Sequence, residues 1–299
     1  MFLLAHITDP HLGPLPQMAK SEFTVKRRIG HFNWHRNRAH AFSEEVLAAL
    51  IQDIRAQRPD HITVTGDLVN LALGEELLAA RDWLTRLGSH QAVTVIPGNH
   101  DTYVPGAFDE LVRLWRDFMT DDNGSGDIAR FPFVRRRGPV ALIGLSSAVA
   151  TAPLMATGRV GSDQADALGQ RLAEFSDEDC FRIVLIHHPP IASLSAWSRR
   201  LIDAGLVRAE IARHGAELVL HGHNHRTQIS RLAGPRAGVP VVGATAASTA
   251  PRSDRAGGAY NLYRIETSDG KFTCTMSERG VRYPGGRVET LSERILTGG

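Results

Sequence analysis

At 299 residues, with 42% hydrophobic and 22% charged side chains, the chain has the composition of a folded globular protein and is long enough for one large core. A net charge of +2 excludes a protein that works chiefly as a counter-charge to long nucleic acid. Two cysteines, Cys180 and Cys274, exclude a disulfide framework or a thiolate cluster and suit a reducing compartment.

The apolar run 2–8 reads as a strand, without the charged and long apolar regions of a signal peptide, and a cytoplasmic location is expected. It ends in Asp9-Pro10-His11, where extended chain sets residues 9 and 11 on one side. A basic-aromatic insertion follows at about 14–40 and fits no simple element. It holds Lys20, Lys26, Arg27, Arg28, Arg36 and Arg38 against one acid, Glu22, with Phe23, Phe32 and Trp34 interleaved. That mixture suits a phosphate, a nucleic-acid strand or an anionic membrane surface, and equally a solvated insertion anchored by its aromatics.

Residues 41–57 carry Phe42, Val46, Leu47, Leu50, Ile51 and Ile54 at helical spacing, with Ser43 near the start and Pro59 beyond the end. A strand at 62–65 ends in Gly66-Asp67, a helix covers 75–87, and a strand at 93–96 breaks at Pro97-Gly98 into Asn99-His100-Asp101. Strand and helix alternating at this spacing predict right-handed βαβ units and a largely parallel sheet. A helix is expected over 107–119, and 121–127 is read as a turn because it lacks the spacing and closing glutamate of a calcium loop. Residues 131–137 and 140–145 suggest a hairpin; the uncharged stretch 138–158 is broken by Pro139, Gly144 and Pro153 and is not read as a membrane span. A helix over 163–175, a strand at 182–186 running into His187-His188-Pro189-Pro190, a helix over 200–214 and a strand at 218–220 running into Gly222-His223-Asn224-His225 complete the alternation. Short β-runs at 227–232, 239–243, 260–266 and 271–277 close the chain, as an antiparallel continuation or a second packed sheet. One domain, 1–299, is expected, with a β-rich portion from about 227.

Strands of an open α/β sheet bring their carboxyl ends to one edge, where ligands sit. Asp9, His11, Asp67, Asn99, His100, Asp101, His187, His223 and His225 would meet there. Gly66, Gly98 and Gly222 each precede one of these groups and permit close backbone approach. Carboxylate, amide and imidazole without thiolate suit manganese, iron or zinc, and the groups suffice for two ions.

Asp9-x-His11, Gly66-Asp67, Gly98-Asn99-His100-Asp101, His187-His188-Pro189 and Gly222-His223-x-His225 span about three quarters of the chain. In this order they resemble the calcineurin-like metallophosphoesterases, and in spelling most closely the bacterial class III cyclic-nucleotide phosphodiesterases. The resemblance implies an α/β fold, a four-layer αββα sandwich with mixed sheets and the metal site at the strand C-terminal ends. It implies two divalent or mixed-valence ions. One would be held by Asp9, His11, Asp67 and His225, and the other by Asp67, Asn99, His187 and His223. His187 is chosen over His188 as the first histidine after its strand. A metal-bridging hydroxide would attack phosphorus in line, His100 would protonate the leaving alkoxide, and Asp101 would orient His100.

A phosphodiesterase acting on a small phosphoester, nucleotide or lipid-derived, is therefore expected. A phosphomonoesterase, a nucleotide-sugar lipid pyrophosphatase and a non-catalytic binding scaffold are the alternatives. Selectivity is expected from the insertion and from Ser193–Arg200, with Trp197 and Arg200 as substrate-binding candidates. Peripheral membrane contact is compatible with the insertion; a long nucleic-acid partner is not expected, and oligomeric state leaves no signal.

Overall fold

The computed structural model describes residues 1–38, 41–122, 130–176 and 180–297. Two six-stranded mixed sheets form its centre. In the first, β1 (Phe2–Ile7), β2 (His61–Val64) and β3 (Val93–Val95) run parallel, in register Ile7↔Val64↔Val95. In the second, the strands β4 (Phe133–Arg137), β5 (Val140–Gly144), β6 (Phe181–Leu185), β7 (Leu218–His221), β8 (Gln228–Leu232) and β9 (Val239–Gly243) assemble in the order β4-β5-β6-β7-β9-β8. Its four inner strands are parallel, and its edges, β4 and β8, are antiparallel. The chain then returns to the first sheet, where β10 (Ala259–Ser268) lies antiparallel to β1 and is followed by β11 (Lys271–Val281) and β12 (Val288–Thr297).

Period-two alternation builds the layers. In β6, Phe181, Ile183 and Leu185 join the core shared with the first sheet and its helices, whereas Val184 joins Leu168, Leu172, Val207 and Ile211 on the other face. Those four belong to α5 (Ser162–Glu174) and α6 (Ala204–His214). The first sheet is covered by α2 (Glu44–Gln57), α3 (Gly74–Leu87) and α4 (Ala107–Trp115), whose Leu50, Ile54, Leu84 and Leu111 are fully buried. The result is the αββα sandwich that the motifs led us to expect. Ser43 starts α2 by accepting the Val46 N–H at 3.3 Å, and the helix stops at Arg58, whose φ of 51° turns the chain ahead of Pro59.

Two elements were not anticipated. The insertion contains α1 (Val25–Asn33), which runs on into a turn of π-helix at Trp34–Arg38. α1 is inside out: Lys26 and Arg27 are buried, while Val25, Ile29 and Phe32 face outward. The buried Arg27 guanidinium is satisfied by the carbonyls of Leu71 and Ala72 and Lys26 by the Thr151 hydroxyl, so charge occupies the face that apolar periodicity would have marked. β12 escaped because nearly all its residues are exposed or half-exposed and most are polar, as an edge strand allows. The expected turn at 121–127 lies mainly outside the described residues, as does His40. Among the described residues no helix is long and apolar enough to cross a membrane.

Candidate metal centre

Each motif loop leaves the carboxyl end of a parallel strand: Asp9 and His11 follow β1, Asp67 follows β2, Asn99 to Asp101 follow β3, His187 follows β6, and His223 and His225 follow β7. Hydrogen bonds lock the loops together within each sheet and, through His223 and Asp9, between the two. The Asp9 N–H donates to Gly66 O (3.0 Å), the His11 N–H to Asp67 O (3.1 Å), the Gly222 N–H to His187 O (3.1 Å) and the His223 N–H to Asp9 Oδ2 (3.0 Å).

This convergence constrains the backbone severely. Asp9, His11, Asp67, His223 and His225 all have φ between 41° and 69°, a region that Asp and His tolerate better than most residues. A Cβ on Gly98 would strike the Asp67 carboxylate, and one on Gly222 would strike the Thr8 hydroxyl and Asp9 Oδ2. Glycine at these positions lets two loops touch.

Two groups of side chains result, and they share Asp67. The potential ligand atoms of Asp9, His11, Asp67 and His225 lie within 4.8 Å of one another, and so do those of Asp67, His187 and His223. Asn99 joins the second group, with Oδ1 3.3 Å from His187 Nε2. Nε2 of His187 is 3.4 Å from Asp67 Oδ2, and Nε2 of His225 is 3.2 Å from Asp9 Oδ1.

The donor set fits divalent cations. Asp9 Oδ1 is buried and faces His225 Nε2, another ligand atom of its group, while Oδ2 accepts from Thr8 Oγ1 at 2.7 Å. Several imidazoles have their far nitrogen committed: His187 Nδ1–H donates to Thr65 O (2.6 Å), His223 Nε2–H to Arg199 O (2.7 Å) and His11 Nδ1–H to Val69 O (3.3 Å). Such hydrogen bonds fix the tautomer that turns a lone pair toward a metal. His188 differs: Nδ1 lies 2.8 Å from Ser147 Oγ and Nε2 3.1 Å from Ala156 O, so both nitrogens are engaged away from the cluster. Burial pushes its pKa down to about 3. For Asp67, burial alone would raise the pKa, but His187, His100 and His11 hold it well below the usual carboxylate range. The reciprocal effect raises His187 to about 9, where Asp67 outweighs the opposing effect of burial.

The sequence model for calcineurin-like phosphoesterases matches residues 2–227. The chain belongs to the calcineurin-like phosphoesterase family. This phosphoesterase is 27% identical over 229 residues to a probable cyclic nucleotide phosphodiesterase of a Synechococcus strain, a match covering 76% of this chain and 74% of the relative. Its fold is similar to that of a dimetal phosphatase from Danio rerio, with a TM-score of 0.60, 13% identity and coverage of 97% of this chain and 99% of that one. It is likewise similar to a purple acid phosphatase from yellow lupin (Lupinus luteus) seeds, with a TM-score of 0.59, 13% identity and coverage of 93% and 51%.

Around the phosphoesterase's ligand groups the structure corrects one expected role. Asp101 does not orient His100. Its buried carboxylate accepts the N–H groups of Asp67 and Gly98 on Oδ2 and those of Leu68 and Val69 on Oδ1, at 2.7–3.1 Å. Burial beside Asp67 pushes its pKa up to about 8, against the pull of those N–H groups. His100 instead donates from Nδ1 to Asn70 O (2.6 Å), packs edge-on against His11 and stacks on Tyr103. Asn70 and Glu76 were missed. Glu76 accepts the N–H groups of Asn70, Leu71 and Leu73, so it shapes the loop that carries the His100 partner. In the sequence it is one acid among several in a helical first turn and gives no signal. Trp197 and Arg200 flank the second ligand group through the Arg199 carbonyl; the Arg200 guanidinium lies 4.9 Å from the Trp197 ring centroid, and Trp197 is exposed.

Proposed function

We propose that the chain is a phosphodiesterase with two divalent metal ions. The observation that carries this reading is the pair of ligand groups joined at Asp67, with His100 beside them. One ion would be held by Asp9, His11, Asp67 and His225, the other by Asp67, Asn99, His187 and His223, and the donor types suit manganese, iron or zinc. Bound there, such ions acidify water and neutralise phosphoryl charge.

The chain's own residues supply the rest. Hydrolysis adds water to phosphorus and breaks the bond to the leaving alcohol, which needs a proton. The Nδ1–H of His100 is held by Asn70 O, so its Nε2 is the atom that delivers that proton. Arg200, stacked on Trp197, is the cation assigned to the substrate's outer charge. The two ligand groups draw on residues 9 to 225, and β10 to β12 complete the sheet that carries β1, so residues 1–299 act as one catalytic unit. Cys180 and Cys274 are free and buried, which suits the reducing cytoplasm.

Diester rather than monoester preference is supported by the relative described as a probable cyclic nucleotide phosphodiesterase. Loading the purified protein in turn with manganese, iron and zinc, and comparing bis-p-nitrophenyl phosphate with p-nitrophenyl phosphate, tests it. A higher kcat/KM on the diester is expected; a higher value on the monoester overturns the assignment.

A further inference from the structure

A groove of about 670 Å³ begins at the metal centre and runs away from it over the outer helices. His11 lines its inner end, and the Phe42 ring, stacked on His11 with centroids 4.7 Å apart, forms the adjoining wall. From there it follows one face of α2, through Leu47, Ala48 and Ile51 to Arg55, opposite Ala79, Trp83 and Leu87 of α3. From Glu44 to Arg55 there are eleven residue steps, which at the helical rise is about 17 Å. Along the middle of that length the walls are hydrocarbon and indole; polar side chains stand at the ends. Arg55 at the far end is itself satisfied, donating to Arg86 O at 2.7 Å.

We propose that this groove binds the hydrocarbon chain of a lipid phosphodiester whose phosphate lies at the metal centre. The inference rests on the phosphodiesterase reading above and names its substrate class. A long alkyl or acyl chain needs only length and apolar walls, which Leu47, Ala48, Ile51, Ala79, Trp83 and Leu87 supply in one continuous stretch, with Gln52 the polar side chain that borders it before Arg55.

The insertion supplies a second observation. Trp34 lines the groove, and it directly follows α1, whose Val25, Ile29 and Phe32 sit at spacings of four and three and are 70%, 40% and 65% exposed. Lys20, Arg28 and Arg36 are exposed beside that stripe. An outward apolar stripe edged with cations matches the interface of an anionic bilayer, where a lipid substrate resides.

The test uses the full-length, manganese-loaded protein and a series of alkyl p-nitrophenyl phosphodiesters, from ethyl to dodecyl, below their micellar concentrations. KM should fall by about fourfold for each methylene that enters the groove and then level off, with kcat nearly constant. Ala48→Trp and Ala79→Trp, both at exposed positions, should flatten that dependence and leave ethyl ester turnover unchanged. Chain-length-independent KM in the unmodified protein, with the ethyl ester still hydrolysed, overturns the groove assignment and spares the diesterase reading. Failure to hydrolyse any diester with each of manganese, iron and zinc sinks that reading instead.

Binding without catalysis is read on metal-free protein. Bromine at the end of dodecyl phosphate should quench tryptophan fluorescence saturably, and Trp83→Phe should remove much of the quenching. Absence of saturable quenching overturns the proposal. So does loss of cyclic AMP turnover in Ala48→Trp with dodecyl ester kinetics unchanged, which would assign the groove to a base.

Discussion

Asp101 accepts the backbone N–H of Asp67, the residue shared by both ligand groups, at 2.8 Å. The same carboxylate collects Leu68, Val69 and Gly98, so one buried side chain fixes the loops after β2 and β3 relative to each other. Removing it would strand several buried N–H groups, each costing about 1–3 kcal/mol. Asp101→Ala is expected to lose about 3 kcal/mol or more of stability in urea unfolding and to bind less metal. Asp101→Asn, which keeps an acceptor oxygen, should retain more of both.

His100 touches the ligand groups without belonging to them. His100→Ala should keep its full metal content while kcat on a diester falls by about 10²–10⁴-fold. A metal-replete variant with undiminished kcat would exclude His100 as the proton donor.

Gly98→Ala tests the contact between loops. The added methyl would sit 2.5 Å from the Asp67 backbone nitrogen, so Asp67 or the whole turn must move. A loss of about 2 kcal/mol or more is expected, with metal content reduced at least as sharply as stability. Elemental analysis beside thermal unfolding checks the two together.

Metal removal should destabilise the fold, because a cation that binds only the native state adds to its stability by mass action. At a thousandfold excess over Kd this is about 4 kcal/mol. Dialysis against chelator should lower Tm, and manganese should restore it.

Lys26 gives a pH signature apart from the ligands. Burial pushes its pKa from the ordinary 10.5 down to about 8, and its ammonium lies 4.4 Å from the centre of the Tyr103 ring. Between those two values the unfolded chain holds a proton that the native state has released. Stability attributable to Lys26 should therefore rise as pH increases through 8 toward 10.5. Urea titrations across that window should lose this slope in Lys26→Met. Acylation read by mass spectrometry offers a direct check, since Lys20, Lys26 and Lys271 are the only lysines in the chain.

The parallel strands and the polar groups at their ends were legible because both obey local rules. Apolar runs with period two make the strands, and glycine immediately before Asp67, Asn99 and His223 marks where backbone must approach backbone. Long-range satisfaction was not legible. Asp101 looked like a partner for its neighbour His100, yet its acceptors serve the N–H of Gly98 and three N–H groups more than thirty residues away, at Asp67, Leu68 and Val69. Helix α1 was hidden for a related reason: its buried cations answer to distant partners, Arg27 to the Leu71 and Ala72 carbonyls and Lys26 to the Thr151 hydroxyl, and nothing in its own sequence announces them. The groove between α2 and α3 was also invisible, because Ala48 and Ala79 read as ordinary helix formers until the opposing walls are in place.

Asp9, His11, Asp67 and Asn99 stand on the first sheet, and His187, His223 and His225 on the second. Each ligand group therefore straddles the sandwich, and cations held there would act as clasps between two slabs whose core contact is greasy and whose direct hydrogen bonds, such as His223 N–H to Asp9 Oδ2 and His187 Nδ1–H to Thr65 O, lie beside the same loops. Sliding one sheet along the other by even an ångström would break both coordination shells at once. Repacking the inter-sheet core around Leu142 or Ile183, far from the chemistry, should tune the spacing inside each ligand group, between its members from the first sheet and those from the second, as a shim adjusts a vice.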